Sequence, residues 1–188
     1  RTHARSMACR GGLRQRPKRK PIVNFFRFWL QCLAFSFGVT GSALVIDPTQ
    51  GYNAVQLSTI TSRNGTAVLI QGPYNALRSS YLQGASAVRV FGSTGTIVDS
   101  NILVATGTSG TGLYVLGGSS GLSASSNTIF GGALEGAVFI DAGNSGLILL
   151  STNTVTGTRY GITVATQQAG AQVWITSNTV LVGQSAST

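Results

Sequence analysis

From residue 47 to residue 188 the chain contains no cysteine, no histidine and no lysine. The missing cysteines exclude a disulfide framework and a thiolate metal site in this body. The missing histidine excludes imidazole-based catalysis and zinc binding there, so neither a metal nor a cofactor is expected. Charge is scarce too: Asp, Glu, Lys and Arg make up 9% of the 188 residues, and only four of them are acids. Disorder combines low hydrophobicity with high charge, and most of this chain has neither. In place of charge stand Ser, Thr, Asn and 25 Gly, a mixture suited to β-structure with many tight corners. The length allows one domain with a sizeable core.

The net charge of +9 is unevenly placed. Residues 1–46 hold nine of the thirteen basic residues and no acid, whereas the body balances Arg63, Arg78, Arg89 and Arg159 against Asp47, Asp99, Glu135 and Asp141. A basic patch on a folded face points to nucleic acid, but a basic tail ahead of an apolar stretch points to a membrane address. Here RQRPKRK (Arg14 to Lys20) precedes FFRFWLQCLAFSFGV (Phe25 to Val39), and Gly41-Ser42-Ala43 offers a small-x-small site. Together these resemble a secretory leader, although Arg27 and Gln31 interrupt an apolar run that is too short for a spanning helix. The expected organisation is a disordered basic tail over residues 1–20, an apolar signal or anchor over 21–46, and a folded body over 47–188. Membrane contact is then expected only through the leader, and the protein is expected to be secreted or held at the cell surface. In the competing reading, residues 1–46 are a disordered tail or a translation artefact, since position 1 is Arg and Met7 is the sole methionine.

Within the body, asparagine recurs at Asn101, Asn127, Asn153 and Asn178. Aligning on it brings other columns into line: Val98, Ala124, Leu150 and Ile175 three residues earlier, Thr96, Leu122, Ile148 and Val173 five earlier, and Leu103, Ile129, Val155 and Val180 two later. Apolar residues alternate with small polar ones, as a strand with one buried face requires. A fixed period of about 25 residues marks a solenoid. A second strand in each unit follows glycine, at Gly112-Leu-Tyr-Val, Gly136-Ala-Val-Phe-Ile and Gly161-Ile-Thr-Val. Asn tolerates the left-handed region, and corner amides stacked about 4.8 Å apart can bond from coil to coil. The Asn column is therefore expected to form a structural ladder, with Asn144 lying off it.

The units SNTI (Ser126 to Ile129), TNTV (Thr152 to Val155) and SNTV (Ser177 to Val180), each preceded by alternating aliphatics, resemble the parallel β-helix repeats of the pectin-lyase-like superfamily. The resemblance covers residues 94–183 and reaches back more weakly to about residue 50. It implies an all-β fold: a single-stranded right-handed parallel β-helix of about 25 residues per coil, preceded by the basic and apolar leader. It says little about function, because that superfamily holds lyases, hydrolases, epimerases, tailspikes and non-catalytic surface proteins. A leucine-rich repeat is the rival, since I-x-L-x-x-N-x-V (Ile148 to Val155) fits its strand. Its return segment is helical or leucine-spaced, whereas here glycine and β-branched residues at period two favour another strand. The coil of Asn178 is not followed by its own second strand, so a C-terminal portion is expected to be missing.

Chemistry is thinly supplied. Hydrolysis takes two matched carboxylates, and lyase chemistry takes a base together with neutralisation of the substrate's charge. The weak catalytic candidates are Glu135, Arg159 and Asp141; Glu135 and Arg159 fall near each other on adjacent coils and read equally as a surface ion pair. Asp141, before Ala-Gly-Asn, reads as a turn former. The glycines of GSTGT (Gly92 to Thr96) and GTSGTG (Gly107 to Gly112) precede no helix and no Lys-Ser/Thr, so a phosphate cradle fails. Four residues before each Asn, on the outward parity, stand Ile97, Ser123, Leu149 and Trp174. Trp174, Leu149 and Ile97 are the candidate binding residues, a stripe that sugar or another partner could contact.

These features point to an exported or surface-displayed β-helix scaffold that binds glycan or another partner and is non-catalytic in this segment, with polysaccharide the expected partner. The alternatives are a carbohydrate-active enzyme (a polysaccharide lyase, glycoside hydrolase or epimerase) and a self-associating adhesin. The charge balance gives a direct test. A fragment of residues 47–188 should not bind DNA at physiological salt, because its four arginines are balanced by four acids. Salt-sensitive DNA retention by that fragment in a filter-binding assay would contradict the placement of charge in the leader.

Overall fold

The computed structural model of the chain describes residues 29–30, 37–38, 41–133 and 136–183. The basic tail, most of the apolar segment and Glu135 lie outside the described residues. Among the described residues there is no helix long and apolar enough to cross a membrane.

Three sheets stack along one axis, and the strands in each pair in parallel. One coil visits the third, the first and the second sheet in turn. The coil around Asn101, for example, runs through Ser86–Phe91, Ile97–Asp99 and Ile102–Ala105. The next coil repeats this as Leu113–Leu116, Ser120–Ser125 and Thr128–Phe130, in parallel register with it. The one after uses Gly136–Ile140, Ser145–Ser151 and Thr154–Gly157. The expected parallel β-helix is therefore the observed fold, and the return segment is the strand Tyr160–Val164, which rules out the leucine-rich repeat.

Each coil has three strands where the sequence suggested two. The alternating segment through each Asn is broken at the corner into a first-sheet and a second-sheet strand. The break sits at the residue before the Asn, and here a second expectation is corrected: Ser100, Ser126, Thr152 and Ser177 take the left-handed conformation, with φ of 54–56°, while the Asn does not. This single inversion turns the chain and aims the next side chain inward. Asn101, Asn127 and Asn153 are consequently 1–2% exposed.

A buried amide must be fully bonded. Asn127 Oδ1 accepts from both the backbone N and Nδ2 of Asn101 (2.9 and 3.1 Å). Asn153 Oδ1 does the same for Asn127, and Asn178 for Asn153. The remaining Nδ2 hydrogen of each goes to a carbonyl of the preceding coil, at Leu77, Val98, Ala124 and Leu150. Towards the N-terminus the ladder continues in serine: Ser80 N donates to Asn101 Oδ1 (3.0 Å), and Ser58 N to Ser80 Oγ (3.2 Å). The period contracts there from 26 residues to 21 and 22.

The corner between the third and first sheets has its own buried polar column. Tyr52 and Tyr74 are left-handed (φ 61° and 54°), at positions that later coils give to Gly95, Gly121 and Gly146. Inside this corner Asn53 N donates to Asn75 Oδ1, Ser93 N to Ser119 Oγ, and Ser119 N to Asn144 Oδ1. Asn144, expected off the ladder, is fully buried, and it also donates to Asp141 O and Val115 O.

The core between the sheets is aliphatic: Val88, Val90, Val98, Leu103, Leu113, Val115, Ile129, Val138 and Ile140 are wholly buried. The solenoid begins before residue 47, because Leu44–Ile46 pairs with Thr66–Ile70. Trp29–Leu30 and Phe37–Gly38 add further parallel strands to the first and second sheets.

Replacing Asn127 or Asn153 by Leu should lower stability by roughly 1–3 kcal/mol each, since the preceding coil loses an acceptor for a buried N–H. Asn144→Leu should join them, whereas Asn64→Leu, in an exposed turn, should stay within about 0.5 kcal/mol of the parent. Urea midpoints decide this, and equal midpoints for all four variants would remove the ladder from the account.

Candidate functional site

On the third sheet, strand alternation turns every second side chain outward. The segments Val88-Arg89-Val90, Leu113-Tyr114-Val115 and Val138-Phe139-Ile140 each place one large side chain between two buried aliphatics. Register brings the three outward residues into one column, Arg89 beside Tyr114 and Tyr114 beside Phe139.

The column is built around Tyr114. The Arg89 guanidinium lies 5.0 Å from its ring centroid, a cation–π arrangement, and Phe139 meets it edge-on at 5.3 Å. Its hydroxyl donates to Asp141 Oδ2 at 2.7 Å. Asp141 Oδ1 accepts from the Ala142 backbone N at 2.7 Å, so this carboxylate both forms its turn and fixes the ring. Beside the column opens a cavity of about 340 Å³, lined by Ser86, Arg89, Ser109, Thr111, Tyr114 and Phe139.

The residues singled out in the sequence are spread over other surfaces. Ile97, Ser123, Leu149 and Trp174 share one outward column of the first sheet. There Trp174 is 53% exposed and the other three are half-buried. Next to them Asp99 Oδ1 accepts from Ser125 Oγ at 2.6 Å. Arg159 stacks over the ring of its neighbour Tyr160 at 5.1 Å and does not line the Tyr114 cavity. Glu135 is outside the described residues. Of the two catalytic candidates among the described residues, Asp141 belongs to the cluster and Arg159 does not.

Carboxylates do not converge among the described residues. Asp47 and Asp141 follow equivalent third-sheet strands four coils apart, a separation of about 19 Å at the usual strand spacing. Glycoside hydrolysis needs roughly 5–10 Å between its two acids. Asp99 lies on another sheet. The Asp47 carboxyl is held below its ordinary value by hydrogen bonds from the backbone and then the hydroxyl of Thr49. Sequence reasoning missed Arg89 and Tyr114, and the available signal was a large residue between two aliphatics at the same strand position in successive coils.

Tyr114→Phe keeps the ring but removes its bond to Asp141. It should cost about 1 kcal/mol, at the low end for a bond to a charged group because the pair is partly exposed. An unchanged urea midpoint would show that the hydroxyl is solvated rather than holding the ring.

No curated protein and no solved structure matches the chain. A family model described as "Right handed beta helix region" matches residues 37–180, most of the sequence and nearly all of the observed coils. That span agrees with the three parallel sheets and the corner ladder, and is consistent with the pectin-lyase-like resemblance: the chain belongs to the right-handed β-helix family.

Proposed function

We propose that this chain is an exported or surface-displayed β-helix scaffold that binds glycan on its flank without turning it over. The observation that carries the reading is the Tyr114 column, an aromatic surface with a hydroxyl, a guanidinium and a carboxylate at its margin, next to a cavity with room for a sugar unit. Sugars bind by stacking their apolar faces on aromatic rings while polar neighbours orient their hydroxyls. The Trp174 column on the first sheet is a second surface of the same kind, longer and less polar. A binding role without turnover is favoured by the spacing of the described acids. Export draws on the basic run Arg14 to Lys20 ahead of an apolar stretch, parts of which (Trp29–Leu30, Phe37–Gly38 and Leu44–Ile46) pair into the solenoid.

The enzyme reading draws on one observation, an acid and a cation on the same flank at Asp141 and Arg89. Glycan-array binding followed by calorimetry separates the two readings. Tyr114→Ala and Phe139→Ala should abolish binding while leaving the fold intact by circular dichroism. In a Trp29→Phe background, a shift of Trp174 emission would place sugar on the first sheet as well. Release of sugar products that disappears in Asp141→Asn would establish the enzyme instead, and silence across neutral and acidic glycans would remove the glycan reading.

A further inference from the structure

Arg89 is a half-buried cation on the third sheet. Among the described residues no carboxylate pairs with it, and its Nε is closed off from water with no acceptor. The Asp141 carboxylate is turned to other donors, one oxygen to Ala142 N and the other to the Tyr114 hydroxyl. Guanidinium groups at such depth are ordinarily matched by a carboxylate or another oxyanion. A second unsatisfied atom lines the same cavity: Thr111 is 5% exposed, and its Oγ1 has no partner. The Thr111 backbone N is turned aside to Ser86 Oγ at 3.4 Å. Buried polar atoms without partners are rare in folded proteins, and two on one cavity wall indicate a ligand that brings acceptors. A water molecule could answer Thr111, but it would leave the charge of Arg89 unmatched.

We propose that the cavity between Arg89 and Thr111 is an oxyanion site, taking the carboxylate or sulfate group of an acidic saccharide. The guanidinium supplies charge and donors, the Thr111, Ser86 and Ser109 hydroxyls supply further donors, and the rings of Tyr114 and Phe139 flank the sugar that carries the anion. The volume of about 340 Å³ has room for a charged sugar unit. Because the folded body is close to neutral, bulk attraction for polyanions is weak, and selection rests on this one cation. The saccharide half of the proposal rests on the glycan reading above; the oxyanion half stands without it.

The test uses the full 188-residue chain and the Nε–H resonance of Arg89 in nitrogen-15 NMR spectra, assigned with Arg89→Gln. Sodium sulfate and sodium acetate are titrated separately against chloride at constant ionic strength. Either anion should move that resonance saturably, and Thr111→Val should weaken the effect. Which anion acts more strongly distinguishes a sulfate ester from a uronic carboxylate. Tetrasaccharides of equal length, one neutral, one sulfated and one uronic, are then compared by calorimetry. An acidic one should bind roughly tenfold or more tightly than the neutral one, the least that a charge-assisted hydrogen bond brings. Arg89→Gln should lose this preference and Arg78→Gln, on the first sheet, should keep it. An unmoved Arg89 resonance with both anions overturns the site. Movement with the anions but no saccharide binding supports the site and removes the glycan reading. Equal affinity for neutral and acidic tetrasaccharides keeps the glycan reading and overturns this inference.

Discussion

A side chain turned inward at a sharp corner cannot reach water, so if it is polar the neighbouring coils must satisfy it. The whole solenoid is organised by that demand. One left-handed residue makes the corner, the next side chain is carried inside, and its amide then binds the equivalent residue of the coil before and the coil after. Asn is suited to this place because it has two donors and an acceptor on a stem short enough to stay in plane with the corner. The result fixes register: slipping one coil by a single residue would take the amide out of the ladder and turn every aliphatic of three strands outward.

The outer surface inherits its order from the same register. Arg89, Tyr114 and Phe139 are far apart in sequence, yet they touch because the core on either side of each permits only one orientation. The corner between the third and first sheets spends some of this rigidity on strain. A left-handed tyrosine costs about 1–2 kcal/mol, and Tyr52 and Tyr74 both carry that cost. Their rings stack with centroids 5.0 Å apart, which returns roughly 0.5–1.5 kcal/mol for the pair. Later coils avoid the cost with glycine.

The ladder and the inward columns were legible in the sequence because their chemistry is strict: Asn at a constant interval, with aliphatics at fixed offsets. The N-terminal coils were harder to read because Ser58 and Ser80 replace Asn and the interval shortens, so the period breaks where the fold does not. The second polar column was hidden for a related reason. Ser93, Ser119 and Asn144 share a role but no side-chain type, and only coordinates bring them together. The Tyr114 cluster was missed because its side-chain type changes from Arg to Tyr to Phe, so that only size recurs at that strand position. The left-handed residue was assigned one place too late, since Ser and Thr tolerate that conformation when the following amide holds the corner closed.

Serine makes a thinner rung than asparagine. Ser58 N donates to Ser80 Oγ at 3.2 Å, whereas in each Asn rung a side-chain amide adds a second donor to the same oxygen. Nearest-neighbour coupling dominates in solenoids, so under tension along the axis the coils would peel singly. Each coil freed would release 21–26 residues, or roughly 65–85 Å of extended chain beyond its stacked height. A chain built this way lengthens in long, discrete steps of one coil each.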